Sequence, residues 1–244
     1  MIILAIDTSQ SASVALVDTD AGSVIAAEQA DDQRRHVEFI GPALAGVLAE
    51  DVQPDLVVVG IGPGPFTGLR VGIAAGIAVG QARGIPVKGL LSQAAIAEEC
   101  VRSAADLATP ESEAASPAAN ESDRPVLIAS DARRKEVYFS VYDSTDATLS
   151  AGAFVAKPAE VASVLADNGF RLETIEERLG RGFLLYPDIL GEPSVESITD
   201  PRAEYLALAA ARELAAGREL REPIPEYLRE ADAKATPVRE SSLR

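Results

Sequence analysis

A two-lobed α/β fold is the architecture this sequence predicts, on three observations: three consecutive strand-like segments at the start, a helix–strand alternation after them, and a second opening of the same kind, in which an apolar run again leads to an aspartate (Asp7, then Asp131). The chain of 244 residues is long enough for two lobes of about 100 residues each.

Residues 2–6 form a short apolar block closed by Asp7, and residues 13–17 and, past the turn at 18–22, 23–27 complete three strands joined by tight turns. Val37, Ile40, Leu44, Val47 and Leu48 then recur at helical spacing, with Pro42 near the first turns. Residues 56–61 are almost uniformly apolar and read as a buried strand. A helix over 68–83 with Thr67 as its N-cap, a strand over 87–91 and a helix over 92–102 capped by Ser92 complete a first lobe at 1–102. Residues 103–124 turn rich in Ala, Ser, Glu and Pro without an aromatic side chain, the composition of a disordered acidic insertion. A second α/β lobe is expected over 125–199, with strands at 126–129 and at the alternating 136–142 and a helix opened by Pro158. A strong helix within 200–217, closed by Gly217, is expected to pack back on the first lobe, and 218–244 read as a tail braced by Pro223 and Pro225.

Composition excludes several functions. Lys and Arg number 22 against 38 Asp and Glu, a net charge of −16, which works against unaided binding of nucleic acid, because phosphates must be neutralised by cations. Cys100 is the only cysteine, so neither an internal disulfide nor a multi-cysteine metal cage can form. His36 is the only histidine; no two-histidine metal site can be built from this chain, and a Ser-His-Asp triad would have to recruit that one residue without a Gly-x-Ser-x-Gly nucleophile motif. No metal site is expected. No secretory signal or apolar stretch of spanning length is present, so a cytoplasmic protein without a membrane contact is expected.

The most informative stretch is the Gly62-Pro-Gly-Pro-Phe-Thr-Gly68 loop and the helix it feeds, in which Gly68, Gly72, Gly76 and Gly80 fall every fourth residue. Each interior glycine costs a helix roughly 0.8–1 kcal/mol against alanine, so the series implies that another backbone approaches closely along one seam. A partner helix is the expected occupant, by small-xxx-small packing. The loop itself is a poor phosphate cradle: Pro63 and Pro65 remove two amide donors, and Gly68-Leu69-Arg70 replaces the Gly-Lys-Ser/Thr of a P-loop. Asp7, Thr8 and Ser9 follow a buried strand, where a carboxylate and two hydroxyls could hold a metal-bound phosphate or simply shape a turn. Arg133 and Arg134 could meet an anion or a carboxylate on a partner.

Taken in order, Leu4-Ala-Ile-Asp-Thr-Ser9, Arg35-His-Val-Glu38, the 62–72 block, Asp131-Ala-Arg-Arg134 with Glu136-Val-Tyr138, and Pro225-Glu-Tyr-Leu-Arg229 resemble the TsaB family, a component of the bacterial machinery that makes threonylcarbamoyladenosine beside the anticodon of tRNAs reading codons that start with A. The chain departs from the family pattern at Val37 and Pro65, where serine is frequent, and in the long 103–124 insertion. The resemblance implies the two-lobed actin-like, sugar-kinase-like ATPase fold with a degenerate second lobe, shared with the catalytic paralogue TsaD. It also implies a non-catalytic scaffold that pairs with TsaD through the first two helices, with His36, Phe39, Ile40, Leu44, Val47, Gly68, Leu69, Gly72, Ile73, Gly76 and Gly80 at the contact. TsaE is a further implied partner, tRNA is reached only through the complex, and a homodimer is the alternative pairing without TsaD. Asp7, Thr8 and Ser9 correspond to a degenerate phosphate cleft, so no cofactor is expected to bind tightly to this chain alone and ATP or ADP only in the assembled complex. The rival expectation is an active ATPase or small-molecule kinase using Asp7; a glycoprotease-like hydrolase is disfavoured by the missing histidine pair.

Overall fold

Asp7 ends β1 (Ile2–Asp7), which pairs with β2 (Ser13–Asp18) in antiparallel register, and β2 pairs in turn with β3 (Ser23–Gln29). On the other side of β1 lie β4 (Leu56–Gly60) and β5 (Val87–Leu90), both parallel to it, giving a five-stranded sheet ordered β3-β2-β1-β4-β5. The computed structural model describes residues 1–30, 36–107 and 124–229.

Strand alternation divides the apolar side chains of this sheet between two layers. Leu4, Ile6, Val14, Leu16, Val57 and Val59 meet Ile40, Ala43 and Val47 of α1 (His36–Val47) and Leu69 and Ile73 of α2 (Phe66–Arg83). Ile3, Ala5, Ala15, Val17, Leu56 and Val58 meet α7 (Ala203–Ala215) and Ala95 of α3 (Gln93–Leu107). Pro42 sits inside α1, on its exposed side, where its missing amide and ring meet no neighbouring layer.

The second sheet runs β8 (Leu149–Ala156), β7 (Val137–Asp143), β6 (Pro125–Asp131), β9 (Glu177–Leu179), with β6 and β9 parallel and the other pairs antiparallel. Leu127, Ala129, Phe139 and Val141 pack on Val161 and Leu165 of α4 (Val161–Asp167) and Phe183 of α5 (Arg181–Leu185), which leads into α6 (Pro187–Leu190). The opposite face, with Val126, Ile128 and Tyr142, meets Ala94, Ile96 and Ala97 of α3 and Ala209 of α7. Helices α3 and α7 therefore lie between the two sheets and belong to both cores.

Two sequence-based boundaries are corrected. Helix α2 begins at Phe66 behind the extended Pro65, with no side-chain cap, so Thr67 lies within its first turn and is exposed. Helix α3 continues to Leu107, so residues 103–107 are ordered helix, whereas 108–123 lie outside the described residues.

Helices α3 and α7 are fastened by buried charge. Glu98, with no exposed side-chain area, takes Nε and Nη2 of Arg212 at 2.6 and 3.0 Å and Nε of Arg102 at 2.8 Å. Next to it Glu99 pairs with Arg202 at 3.2 Å, yet burial outweighs that cation and pushes its carboxyl up from 4.5 to about 6. Folding thus favours the protonated acid: the contribution is complete below about pH 4.5 and is lost as the pH rises through about 6. Glu99→Gln carries no such titration, so its melting temperature relative to the native chain should be more favourable at about pH 7.5 than at about pH 4.5. A gap that stays constant between those two values overturns this assignment.

Candidate functional site

The residues that follow β1 form the centre of the molecule. Asp7, Thr8, Ser9 and Ser13 have no exposed area, and Gln10 and Ser11 expose 5% and 4%. Asp7 Oδ1 accepts the amide and the hydroxyl of Ser9 at 2.8 and 2.7 Å, a turn closed by its own carboxylate. Oδ2 lies across the neighbouring strand, where a Cβ on Gly60 would stand 1.7 Å from it and 2.7 Å from the Ser92 hydroxyl. Gly60 is thus the position that makes room for the carboxylate, a role the sequence showed only as a strand end. Burial raises the pKa of Asp7; the hydroxyls of Ser92 and Ser9 and the Ser9 amide pull the other way.

Thr8 is keyed to α2. Its hydroxyl donates to the carbonyl of Gly68 at 2.8 Å and accepts the amide of Gly72 at 3.1 Å, spanning one rung of the helix. Ser92, expected as a helix cap, turns its hydroxyl to accept the amide of Gly62 at 3.2 Å. The Gly62–Pro65 loop closes over this cluster: a Cβ on Gly64 would meet the Ser9 carbonyl at 2.8 Å, and Gln10 Nε2 reaches across to the carbonyl of Asp131 at 3.1 Å. A metal-bound phosphate does not fit this arrangement. The carboxylate that would hold it has no exposed atom, and the loop backbone lies against Ser9.

The second aspartate is spent locally. Asp131 takes the amide of Arg133 at 2.7 Å and its guanidinium at 3.0 Å, so Arg133 neutralises the carboxylate. Arg133, Arg134 and Lys135 have φ of 59°, 54° and 61°, three successive left-handed residues that each cost roughly 1–2 kcal/mol without glycine. Two backbone bonds hold the turn, Ala132 N to Glu136 O at 3.1 Å and Glu136 N to Arg133 O at 3.0 Å. Arg229 adds a bond to the Ala132 carbonyl at 3.0 Å, an ion pair with Glu136, and a position over the Tyr138 ring.

That arginine ends a strap formed by the described part of the tail. Arg221 exchanges backbone bonds with Gly89, the amide of Glu226 reaches Ile61 O at 2.7 Å, and Tyr227 stacks on Phe66 with ring centroids 4.4 Å apart. Arg70 Nε donates to the Tyr227 hydroxyl at 2.9 Å. The strap thereby ties the start of α2 to the 132–136 turn, a link that no local periodicity could have shown.

The glycine seam does not face outward. A Cβ on Gly72 would stand 2.4 Å from Thr8 Oγ1, on Gly76 2.3 Å from Val59 Cγ1, and on Gly80 2.2 Å from Val87 Cγ2. The close neighbour required by the glycines is this chain's own first sheet. The expected contact set is corrected accordingly: Ile40, Val47, Leu69 and Ile73 are core, Gly68, Gly72, Gly76 and Gly80 are buried, and only Phe39 and Leu44 are half-buried. His36 opens α1, but its side chain lies outside what is described. Exposed instead are Val37, Gly41 and Ala45 on one helix and Thr67, Arg70, Ala74, Ala78 and Gln81 on the other.

Comparison with known proteins places these features in context. The model of the family described as TsaD, tRNA N6-adenosine threonylcarbamoyltransferase, matches residues 24–196. An uncharacterized protein of Mycobacterium leprae is 38% identical over 167 residues, 66% of this chain; the match spans 40% of that relative's length. Among solved structures, a Pseudomonas aeruginosa protein described as similar to the peptidase YeaZ is 26% identical with a TM-score of 0.71, and YeaZ from the same organism is 25% identical with a TM-score of 0.68. Each superposition covers 93% of this chain and 99% of the other.

Proposed function

Because the chain belongs to the TsaD family and is a TsaB-like protein of the actin-like ATPase superfold, we propose that it serves tRNA threonylcarbamoylation as a non-catalytic scaffold, pairing with a TsaD subunit that carries out the transfer. The observation that carries this reading is the fully buried Asp7, sealed beneath the Gly62–Pro65 loop where an ATPase would need an open phosphate cleft. The single histidine supports it, since the metal-binding histidine pair of TsaD has no counterpart. TsaE and, without TsaD, a second copy of this chain are the other proposed associates, in the cytoplasm; among the described residues no helix is long and apolar enough to cross a membrane. The proposed contact is the outer surface of α1 and α2, whose exposed Gly41, Ala45, Ala74 and Ala78 let a facing backbone come close.

One observation favours the ATPase reading: Asp7 is a fully buried carboxylate, a costly placement for a residue with no function. Asp7→Ala separates the two. As a scaffold, the purified native chain should show no magnesium-dependent ATP turnover, and Asp7→Ala mixed with TsaD, TsaE and tRNA should support transfer as the native chain does. ATP turnover by the native chain that disappears in Asp7→Ala would overturn the scaffold role.

A further inference from the structure

The strap from Arg221 to Arg229 holds the two lobes by unequal means. On the first lobe it is fastened through backbone, Arg221 to Gly89 in both directions and the Glu226 amide to Ile61 O, and through the stack of Tyr227 on Phe66. On the second lobe its polar hold is the Arg229 side chain, which donates to the Ala132 carbonyl and pairs with Glu136. Those two partners flank Arg133, Arg134 and Lys135, so one guanidinium staples both ends of the left-handed turn.

A turn of this kind stores strain. Three successive residues other than glycine at positive φ persist only where neighbours impose them, and such strain gathers at elements that switch between two arrangements. The imposing contacts are Asp131 on Arg133, the backbone bonds of Ala132 and Glu136, and Arg229. All but the last lie within the hairpin itself. The strap, for its part, is shallow: Ile224 exposes 67% and Tyr227 38% of its surface. A Cβ on Gly62 would stand 3.4 Å from the Glu226 carbonyl oxygen, so the strap lies directly on the loop that covers Asp7. A surface segment whose large side chains face water opens at less than the free energy of global unfolding.

We infer that the strap and the 132–136 turn form one two-position latch, built into this chain independently of what it pairs with. Docked, Arg229 clamps the turn in its left-handed form and the strap lies on the Gly62–Pro65 loop. Released, the turn relaxes, the strap lifts, and the loop over Asp7 loses its outer cover. Because the strap is a single segment, a disturbance at Tyr227, whose ring and hydroxyl are spent on Phe66 and Arg70, reaches the turn as well.

The test is residue-resolved hydrogen exchange by NMR on the full chain, with the β4 amides as the control for global stability. Arg229→Gln should speed exchange about 10-fold or more at the Ala132, Glu136 and Glu226 amides, each bonded in the docked form, while β4 keeps its native rates. Glu136→Gln should do the same from the other side of the ion pair. Tyr227→Ala should also raise the Ala132 and Glu136 rates, although its own contacts are with the start of α2. Lys135→Gly relieves one positive φ; added to Arg229→Gln, it should slow the turn amides again by about 5-fold or more while Glu226 stays fast. Tyr227→Ala with native rates in the turn would make the strap two independent contacts and overturn the latch. A rise shared equally by the β4 amides in Arg229→Gln, which would make the arginine a general stabilising residue, overturns it too. So does Lys135→Gly without effect beside Arg229→Gln, since the turn would then hold no strain to release.

Discussion

Gly76→Leu is expected to yield little or no folded protein, the largest effect anticipated for any single substitution in this chain. The reason is the direction of the seam. A bare Cβ at Gly76 already falls 2.3 Å from Val59 Cγ1 and 3.4 Å from Val57 Cγ1, and both valines are fully buried in a strand covered on its two faces. Neither can yield without moving β4. Overpacking by a methylene or two typically costs about 1–3 kcal/mol, and leucine adds three carbons beyond the Cβ, so the loss is a large part of a total stability of about 5–15 kcal/mol. Gly76→Ala is the gentler probe: alanine gains about 1 kcal/mol of helix propensity, and a net destabilisation despite that gain measures the clash. Adding Val59→Ala should restore part of it, with a coupling of about 0.5–3 kcal/mol in denaturant unfolding. Gly76→Leu with a native unfolding midpoint, defective only in assembly, would return the seam to the partner and sink this account.

The same glycines show how far the sequence could be read. Their spacing announced a close neighbour along α2, expected to be a partner helix, and the neighbour is instead the side chains of the chain's own first sheet; spacing alone carries no information about which side of the helix faces the protein. The deciding facts are non-local: Val57 and Val59 of β4, Val87 of β5 and Thr8 after β1 are the atoms that fill the seam. The strands of the first sheet were legible because uniform apolar runs of five or six residues bounded by turns leave few alternatives. Strand β9 was not, since Glu177-Arg178-Leu179 is too short and too polar to carry a pattern and exists through its parallel pairing with β6. Helices α5 and α6, of five and four residues, likewise fall below the length at which periodicity speaks. At the candidate site, Asp7 and the Arg133–Arg134 pair stood out by residue type. Gly60, which accommodates the carboxylate, and the strap from Arg221 to Arg229 did not, because their roles depend on neighbours distant in sequence.

If the outer faces of α1 and α2 carry the proposed pairing with TsaD, Ala78→Arg should abolish it while leaving the protomer intact. Ala78 is exposed, one turn beyond the exposed Ala74, on the side of α2 opposite the seam. An exposed alanine in a helix interior tolerates arginine within about 0.5 kcal/mol, since arginine is a good helix former and its charge stays in water. Between two closely packed helices the same side chain has no room and its charge no partner, and a loss of about 2.7 kcal/mol or more corresponds to at least 100-fold in affinity. The control is Ala166→Arg, an exposed alanine on α4 beyond the second sheet, which should change neither stability nor pairing. Melting temperature, size-exclusion with TsaD and threonylcarbamoylation of a tRNA transcript then give a sharp pattern: Ala78→Arg stable, unpaired and unable to support transfer, Ala166→Arg native in all three. Full co-elution and transfer by Ala78→Arg would remove this face from consideration, because no backbone-close contact over Ala74 and Ala78 can admit a guanidinium and keep its affinity.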